Sequence, residues 1–164
     1  MPMPSRAVYL AVTVVAFAGC GGAKTLVFRD GGIEFSYPPD WSVSGFSRTV
    51  SPARLVVSSH KVTRGEVEGD CGGSRALAAL PRSGAALLLI DYGTAAASRG
   101  WFAPRPTHLR IRRFARANYE CFGDSYMLRF RAGHDLQAFV QLGEDASAVT
   151  SAHTLQILDS VKRP

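Results

Sequence analysis

Two alternating runs near the C-terminus constrain this chain more than any other stretch. Tyr126, Leu128 and Phe130 alternate with Met127, Arg129 and Arg131, and Leu136, Ala138, Val140 and Leu142 alternate with Gln137, Phe139 and Gln141. Between them, Gly133-His134-Asp135 supplies turn chemistry. A period of two sends successive side chains to opposite faces of a sheet, so the pair predicts an antiparallel hairpin with an apolar and a polar side. From Ser147 the period changes. Val149, Ala152, Leu155, Leu158 and Val161 recur at helical spacing, which predicts a C-terminal amphipathic helix lying against the sheet.

Earlier segments read the same way. Leu26-Val27-Phe28 and Ile33 to Tyr37 flank Asp30-Gly31-Gly32 and predict a first hairpin. Pro38-Pro39-Asp40 interrupts the ladder, because proline has no backbone donor, and Trp41 opens a short strand with Val43. Leu55 to Val62 is a further strand. Residues 65–74 are polar and glycine-rich, a loop carrying Cys71. Ser74 is placed to cap a short helix from Arg75 to Leu80, which Pro81 ends. Ala85 to Tyr92 holds Leu87-Leu88-Leu89-Ile90, an apolar run suited to a central strand buried on both faces. Residues 95–106 read as a loop, in which Trp101 and Phe102 are either a core plug, the favoured reading, or an exposed contact. Leu109 to Arg116 reads as a basic strand. The sum is an α+β domain: an antiparallel β-sheet of about six or seven strands, a short middle helix and the C-terminal helix.

Before all of this comes a leader. Arg6 precedes twelve mostly apolar residues, Ala7 to Ala18, followed by Gly19 and Cys20. As a helix the run spans about 18 Å, short of the ~30 Å hydrocarbon core, so it has the layout of a secretory signal. Phe17-Ala18-Gly19-Cys20 resembles the lipobox of bacterial lipoproteins, with Phe17 where leucine is usual. The resemblance implies cleavage before Cys20 and acylation of its sulfur, giving a signal peptide over 1–19, a lipid-anchored tether over 20–25 and one domain over 26–164. It places the chain outside the cytoplasm, on the outer face of the cytoplasmic membrane or in the periplasm or outer membrane. The competing reading is Ala16-Phe17-Ala18, a site whose cleavage after Ala18 releases a soluble domain.

The chain has 3 cysteines, and an odd count in an exported protein asks for an explanation. With Cys20 taken as the lipid site, Cys71 and Cys121 remain as a pair. In an oxidising compartment they form a disulfide closing roughly fifty residues, worth about 4 kcal/mol on the loop-entropy account. Two free thiols are the alternative. A zinc site is disfavoured because neither cysteine has a partner at C-x-x-C spacing. Charged residues are 20% and hydrophobic ones 46%, the balance of a globular chain. The net charge of +6 suits solubility or an acidic envelope polymer.

Ile33-Glu34-Phe35-Ser36-Tyr37-Pro38-Pro39-Asp40-Trp41 resembles the early strand, Tyr-Pro, turn and Trp of PsbP-like domains, and Ile157-Leu158-Asp159-Ser160-Val161 is similar to their final helix. The resemblance implies an antiparallel sheet with helices on its faces, in a family made chiefly of non-catalytic binding or assembly subunits.

The sequence offers little reactive chemistry. Gly123-Asp124-Ser125 matches one esterase nucleophile block, but its position is wrong and no D-x-x-H accompanies it, so a turn leading into a strand is expected. His60, His108, His134 and His153 lack ligand spacing. No catalytic residue, metal site or cofactor is assigned, and the chain is read as a non-enzyme, with an enzyme of unrecognised class as the alternative. The most functional-looking surface is basic. Arg110, Arg112, Arg113 and Arg116 read as an anionic-ligand surface, for headgroups, an anionic polymer or an envelope protein, with no nucleic acid expected. The partners expected are therefore the membrane, through acylated Cys20, and an envelope component.

Overall fold

The computed structural model describes residues 24–47, 51–68, 76, 78–94, 100–119 and 123–164. Their centre is the strand β5 (Ala85–Asp91), in which residues 85 to 90 are all buried. It pairs antiparallel with β4 (Ala53–Ser58) on one side and β9 (His134–Leu142) on the other. Beyond β4 lies the short β3 (Ser42–Val43). Beyond β9 lies β8 (Gly123–Ala132), whose outer edge is shared. There β7 (Ala115–Tyr119) pairs antiparallel with its first half, while β6 (Ala103–Pro104) pairs parallel with Phe130 and Arg131. The result is a 7-stranded, almost wholly antiparallel sheet.

A second layer covers one face. Its parts are the hairpin of β1 (Leu26–Asp30) and β2 (Ile33–Tyr37), and the helix α1 (Ala148–Ser160) beside it. The hairpin turns at Gly31 and Gly32, with φ of 64° and 82°. Two positive φ angles in a two-residue loop are the geometry that matches strand twist, and glycine adopts them without a Cβ clash. Phe28, Ile33 and Phe35 from the hairpin meet Leu55, Val57, Leu87, Leu89, Leu136 and Val140 from the sheet, together with Ile157, Leu158 and Val161. The opposite face is apolar too. Val56, Ala86, Leu88, Ile90 and Phe139 pack there against Val62, Val67 and Ala76. Burying Leu87, Leu88, Leu89 and Ile90 contributes roughly 8 kcal/mol gross, about the size of the whole net stability of a domain.

The α+β class, the two hairpins, the central strand and the C-terminal helix are as the sequence pattern requires. Other readings change. The strand expected over Leu55 to Val62 stops at Ser58, because Ser58 and His60 hydrogen-bond each other across a bend. Of the middle helix, Ala76 and Ala78 are helical, and Ser74 lies outside the described residues. On α1 the first part of the expected stripe is wet: Val149 is 63% exposed and Ala152 is exposed, whereas Thr154, Ile157 and Leu158 are buried. The first turn overhangs the hydrophobic layer. Thr154 is tolerated inside because its hydroxyl donates to Thr150 O at 3.1 Å. Ser147 caps the start, accepting from Thr150 N at 3.0 Å. At the other end Arg105 Nη1 donates to Leu158 O at 3.2 Å and to Val161 O, placing a cation where the helix dipole is negative.

The chain after α1 returns to the hairpin. Glu34 and Lys162 exchange backbone hydrogen bonds of 2.8 and 2.9 Å, and Ser160 Oγ accepts from Ser36 N at 2.8 Å. The Glu34 carboxylate contacts Arg29 Nε at 2.6 Å and Lys162 Nζ at 3.2 Å. Arg29 is the main cause that holds its pKa below the ordinary 4.5; burial, next in size, opposes it, and Lys162 adds a further lowering. A carboxylate whose folded pKa is depressed stabilises the fold above 4.5, and that stabilisation disappears as pH falls through the folded value. In urea titrations, the midpoint of Glu34→Gln is therefore expected to lie below wild type at pH 7, with the gap closing at pH 3. A second expectation concerns Gly143. A Cβ there would lie 2.1 Å from Arg82 O, so Gly143→Ala is expected to cost about 3 kcal/mol or more in the same assay.

Candidate functional site

Cys20, Cys71 and Cys121 lie outside the described residues, so the lipid site and the disulfide stay expectations from the sequence. The arginine surface can be placed, and it is not a strand. Leu109 is buried, Ile111–Arg113 form one turn of 3-10 helix, Phe114 is buried, and β7 begins only at Ala115. Two inward anchors five residues apart, with half-buried Ile111 between them, fold the segment over the edge of the first core. The alternation expected for a strand is broken by that wrap. Arg110, Arg112 and Arg113 are thus exposed on a turn. Arg116 is separate, on β7, its guanidinium 4.3 Å from the Tyr126 ring centroid. Three of the four arginines form one projecting basic knuckle. The fourth stacks on its own sheet.

A concave site lies elsewhere, at the open end of the β1–β2 hairpin. The lead-in Lys24-Thr25, the end of β2 at Ser36-Tyr37, the turn Pro38-Pro39-Asp40 and the α1 residues His153, Gln156 and Ile157 enclose a cleft of about 240 Å³. Each wall has a local cause. The two prolines end the β2 ladder and throw the chain outward, while Trp41 N bonds back to Pro38 O at 3.1 Å. Trp41 is buried and meets the His153 ring edge to face, centroids 6.3 Å apart at 76°. Tyr37 packs against Phe35 at 6.1 Å, and burial raises the pKa of its hydroxyl above the ordinary 10.0. The phenol therefore stays a proton donor across neutral pH. The floor is ring, proline and Ile157. The rim carries Lys24, Asp40, His153 and Gln156.

The arrangements that look reactive elsewhere have structural partners. Ser125 is 1% exposed, sits inside β8 rather than in a turn, and donates to Ala117 O at 3.0 Å. Ser58 is fully buried. His60 joins its Oγ through Nδ1 and reaches Ala76 O through Nε2 at 2.8 Å, tying the helical turn to the end of β4. Asp91 holds His134 Nδ1 at 2.9 Å and accepts from Gly93 N at 2.7 Å. The His134 Nε2 faces the hairpin turn, 3.0 Å from where a Cβ on Gly32 would stand. No nucleophile stands there among the described residues. Those residues also hold no group of three or more His, Cys, Asp or Glu able to hold a metal ion, and no helix long and apolar enough to cross a membrane.

Trp101 and Phe102, read together from the sequence, part company. Phe102 is buried against the Tyr92 ring at 5.3 Å, and Trp101 is 67% exposed with Arg129 5.4 Å from its centroid. Compared with known proteins, the chain matches no family model, no characterised protein and no solved structure. Sequence reasoning missed the cleft. Tyr37-Pro38-Pro39-Asp40 was legible as the end of a strand, while the approach of His153 depends on a contact across more than a hundred residues.

The basic knuckle makes a simple prediction. Arg112→Ser and Arg113→Ser, separately and together, are expected to leave the urea midpoint within the equivalent of about 0.5 kcal/mol of wild type. A larger loss would mean that these side chains hold the turn together rather than facing a partner.

Proposed function

We propose that this chain is an extracytoplasmic lipoprotein, a single α+β domain of PsbP-like type held at a membrane by acylated Cys20 and acting as a non-catalytic binding or assembly module. The observation that carries the reading is the leader: Arg6, the apolar run Ala7 to Ala18, and Gly19-Cys20. Two further features support it. An exported chain accounts for the cysteine count by pairing Cys71 with Cys121. The tether over 20–25 is short, and its last two residues, Lys24 and Thr25, line the cleft.

The PsbP-like reading rests on Ile33 to Trp41 and Ile157 to Val161. These two segments lie side by side, β2 against the end of α1, joined by Ser36 and Ser160. The basic knuckle of Arg110, Arg112 and Arg113 is the surface offered to an envelope protein or an anionic polymer. One acyl chain gives marginal membrane binding and two or three give stable anchoring, so the modification decides whether the domain stays at the surface.

A second reading keeps the domain and removes the lipid, with cleavage after Ala18 at Ala16-Phe17-Ala18. Intact mass of the protein extracted from membranes separates the two. The expected mass is that of residues 20–164 plus a diacylglyceryl group, with no titratable thiol left. Cys20→Ser is expected to lose that mass and leave the membrane fraction. A processed Cys20→Ser protein that still sediments with membranes would sink the anchoring reading, and free thiols at both Cys71 and Cys121 would sink the disulfide.

A further inference from the structure

The cleft between the hairpin and α1 gathers in one concavity polar side chains that the fold does not use, as it also leaves Arg54 Nε and Gln141 Oε1 unused elsewhere. Asp91 is bonded to His134, Asp135 to Arg131, Ser58 to His60, and Glu34 to Arg29 and Lys162. Five side chains around the cleft, Lys24, Tyr37, Asp40, His153 and Gln156, make no hydrogen bond or ion pair with any described residue. Uncommitted donors and acceptors converging over an apolar floor are the usual makeup of a ligand site.

Size and charge narrow the ligand. A cleft of about 240 Å³ is below the ~300–1,000 Å³ of sites that enclose drug-sized molecules, so it suits a compact polar group with little else. The rim carries both signs, a Lys24 ammonium and an Asp40 carboxylate. A purely anionic group would meet Asp40 unfavourably and a purely cationic one would meet Lys24. One aromatic ring, Tyr37, lines the site among the described residues, so it has no aromatic cage for a quaternary ammonium. A primary ammonium can donate to Asp40, and a phosphodiester can accept from Lys24, Gln156 and the Tyr37 hydroxyl.

Position narrows it further. Lys24 follows Cys20 by four residues, a reach of at most about 14 Å for an extended chain. With the sulfur acylated, the rim of the cleft is held within that distance of the bilayer interface. We propose that the cleft binds the zwitterionic headgroup of phosphatidylethanolamine in the membrane that carries the anchor. The inference rests on the anchoring reading for the source of its ligand, and on the cleft itself for the chemistry.

The test uses the full chain as purified from membranes, its acylation read by intact mass, reconstituted in nanodiscs of phosphatidylcholine doped with phosphatidylethanolamine or phosphatidylglycerol. Imidazole NMR signals of His153 report the cleft, and those of the exposed His108 serve as control. The expected result is a saturable shift of His153 with the phosphatidylethanolamine fraction, absent with phosphatidylglycerol, and weakened at least fivefold by Asp40→Asn or Gln156→Leu. Both replacements fall at exposed positions and leave the fold intact. An unmoved His153, or an equal response to phosphatidylglycerol, overturns the proposal while an acylated mass leaves the anchoring reading standing. Should the mass lack acyl groups, dihexanoyl phosphatidylethanolamine below its micelle concentration replaces the discs. Binding then keeps the headgroup assignment without the anchor, and no binding removes both. A shift produced equally well by chain-free glycerophosphoethanolamine assigns the cleft to a soluble phosphodiester and overturns the lipid source.

Discussion

Strand β5 has no wet side. Ala85, Leu87 and Leu89 enter the core under the hairpin and helix, and Ala86, Leu88 and Ile90 enter the core on the opposite face. Both backbone edges are consumed by β4 and β9. Everything else is arranged to keep water away from this strand. One face needs an apolar lid as wide as the sheet, which β1, β2 and α1 supply together. The other is closed at one end by Val62, Val67 and Ala76. A central strand of this kind leaves no latitude in register, because a slip by one residue would exchange the two cores.

The lid is assembled from distant parts of the chain, and its seams are polar. Arg105 reaches the C-terminal carbonyls of α1, Ser160 satisfies Ser36, and Glu34 sits between Arg29 and Lys162. Where the seam is closed, these groups are mutually satisfied and carry structure. At the other end of the same seam lie Pro38 and Pro39, and there the polar groups of Tyr37, His153 and Gln156 line the cleft without a hydrogen-bond partner among the described residues. One boundary between two elements thus supplies both a fastening and a cavity. The difference is the proline pair, which prevents β2 from continuing alongside the helix.

Periodicity made much of the fold legible, because burial on one face imposes a period of two on a strand whatever the rest of the chain does. That logic located both hairpins and, through its unbroken apolar run, β5. It failed where a segment wraps rather than lies flat. Leu109, Ile111 and Phe114 point inward from an irregular turn, and their spacing imitated a strand closely enough to put Arg110 and Arg112 on a face that does not exist. It failed again on α1, where an apolar stripe could be drawn through Val149 and Ala152 but the sheet beneath ends before it reaches them. The cleft was illegible for another reason. Its walls come from residues 24 to 40 and 153 to 157, and no local pattern encodes a meeting across that separation. The leader proposed for residues 1–19 is a different kind of reading, since such a signal is linear and its pattern does not depend on the fold.

The seam also makes the two ends of the described fold depend on each other. Ser36 is satisfied by a hydroxyl 124 residues away, and the outer edge of β2 finds its backbone partner in Lys162. Removing the segment from Ser160 to Lys162 would therefore strip the opening hairpin of both fastenings at once, and loosen the cover over Phe28, Ile33 and Phe35 from a place remote in the chain.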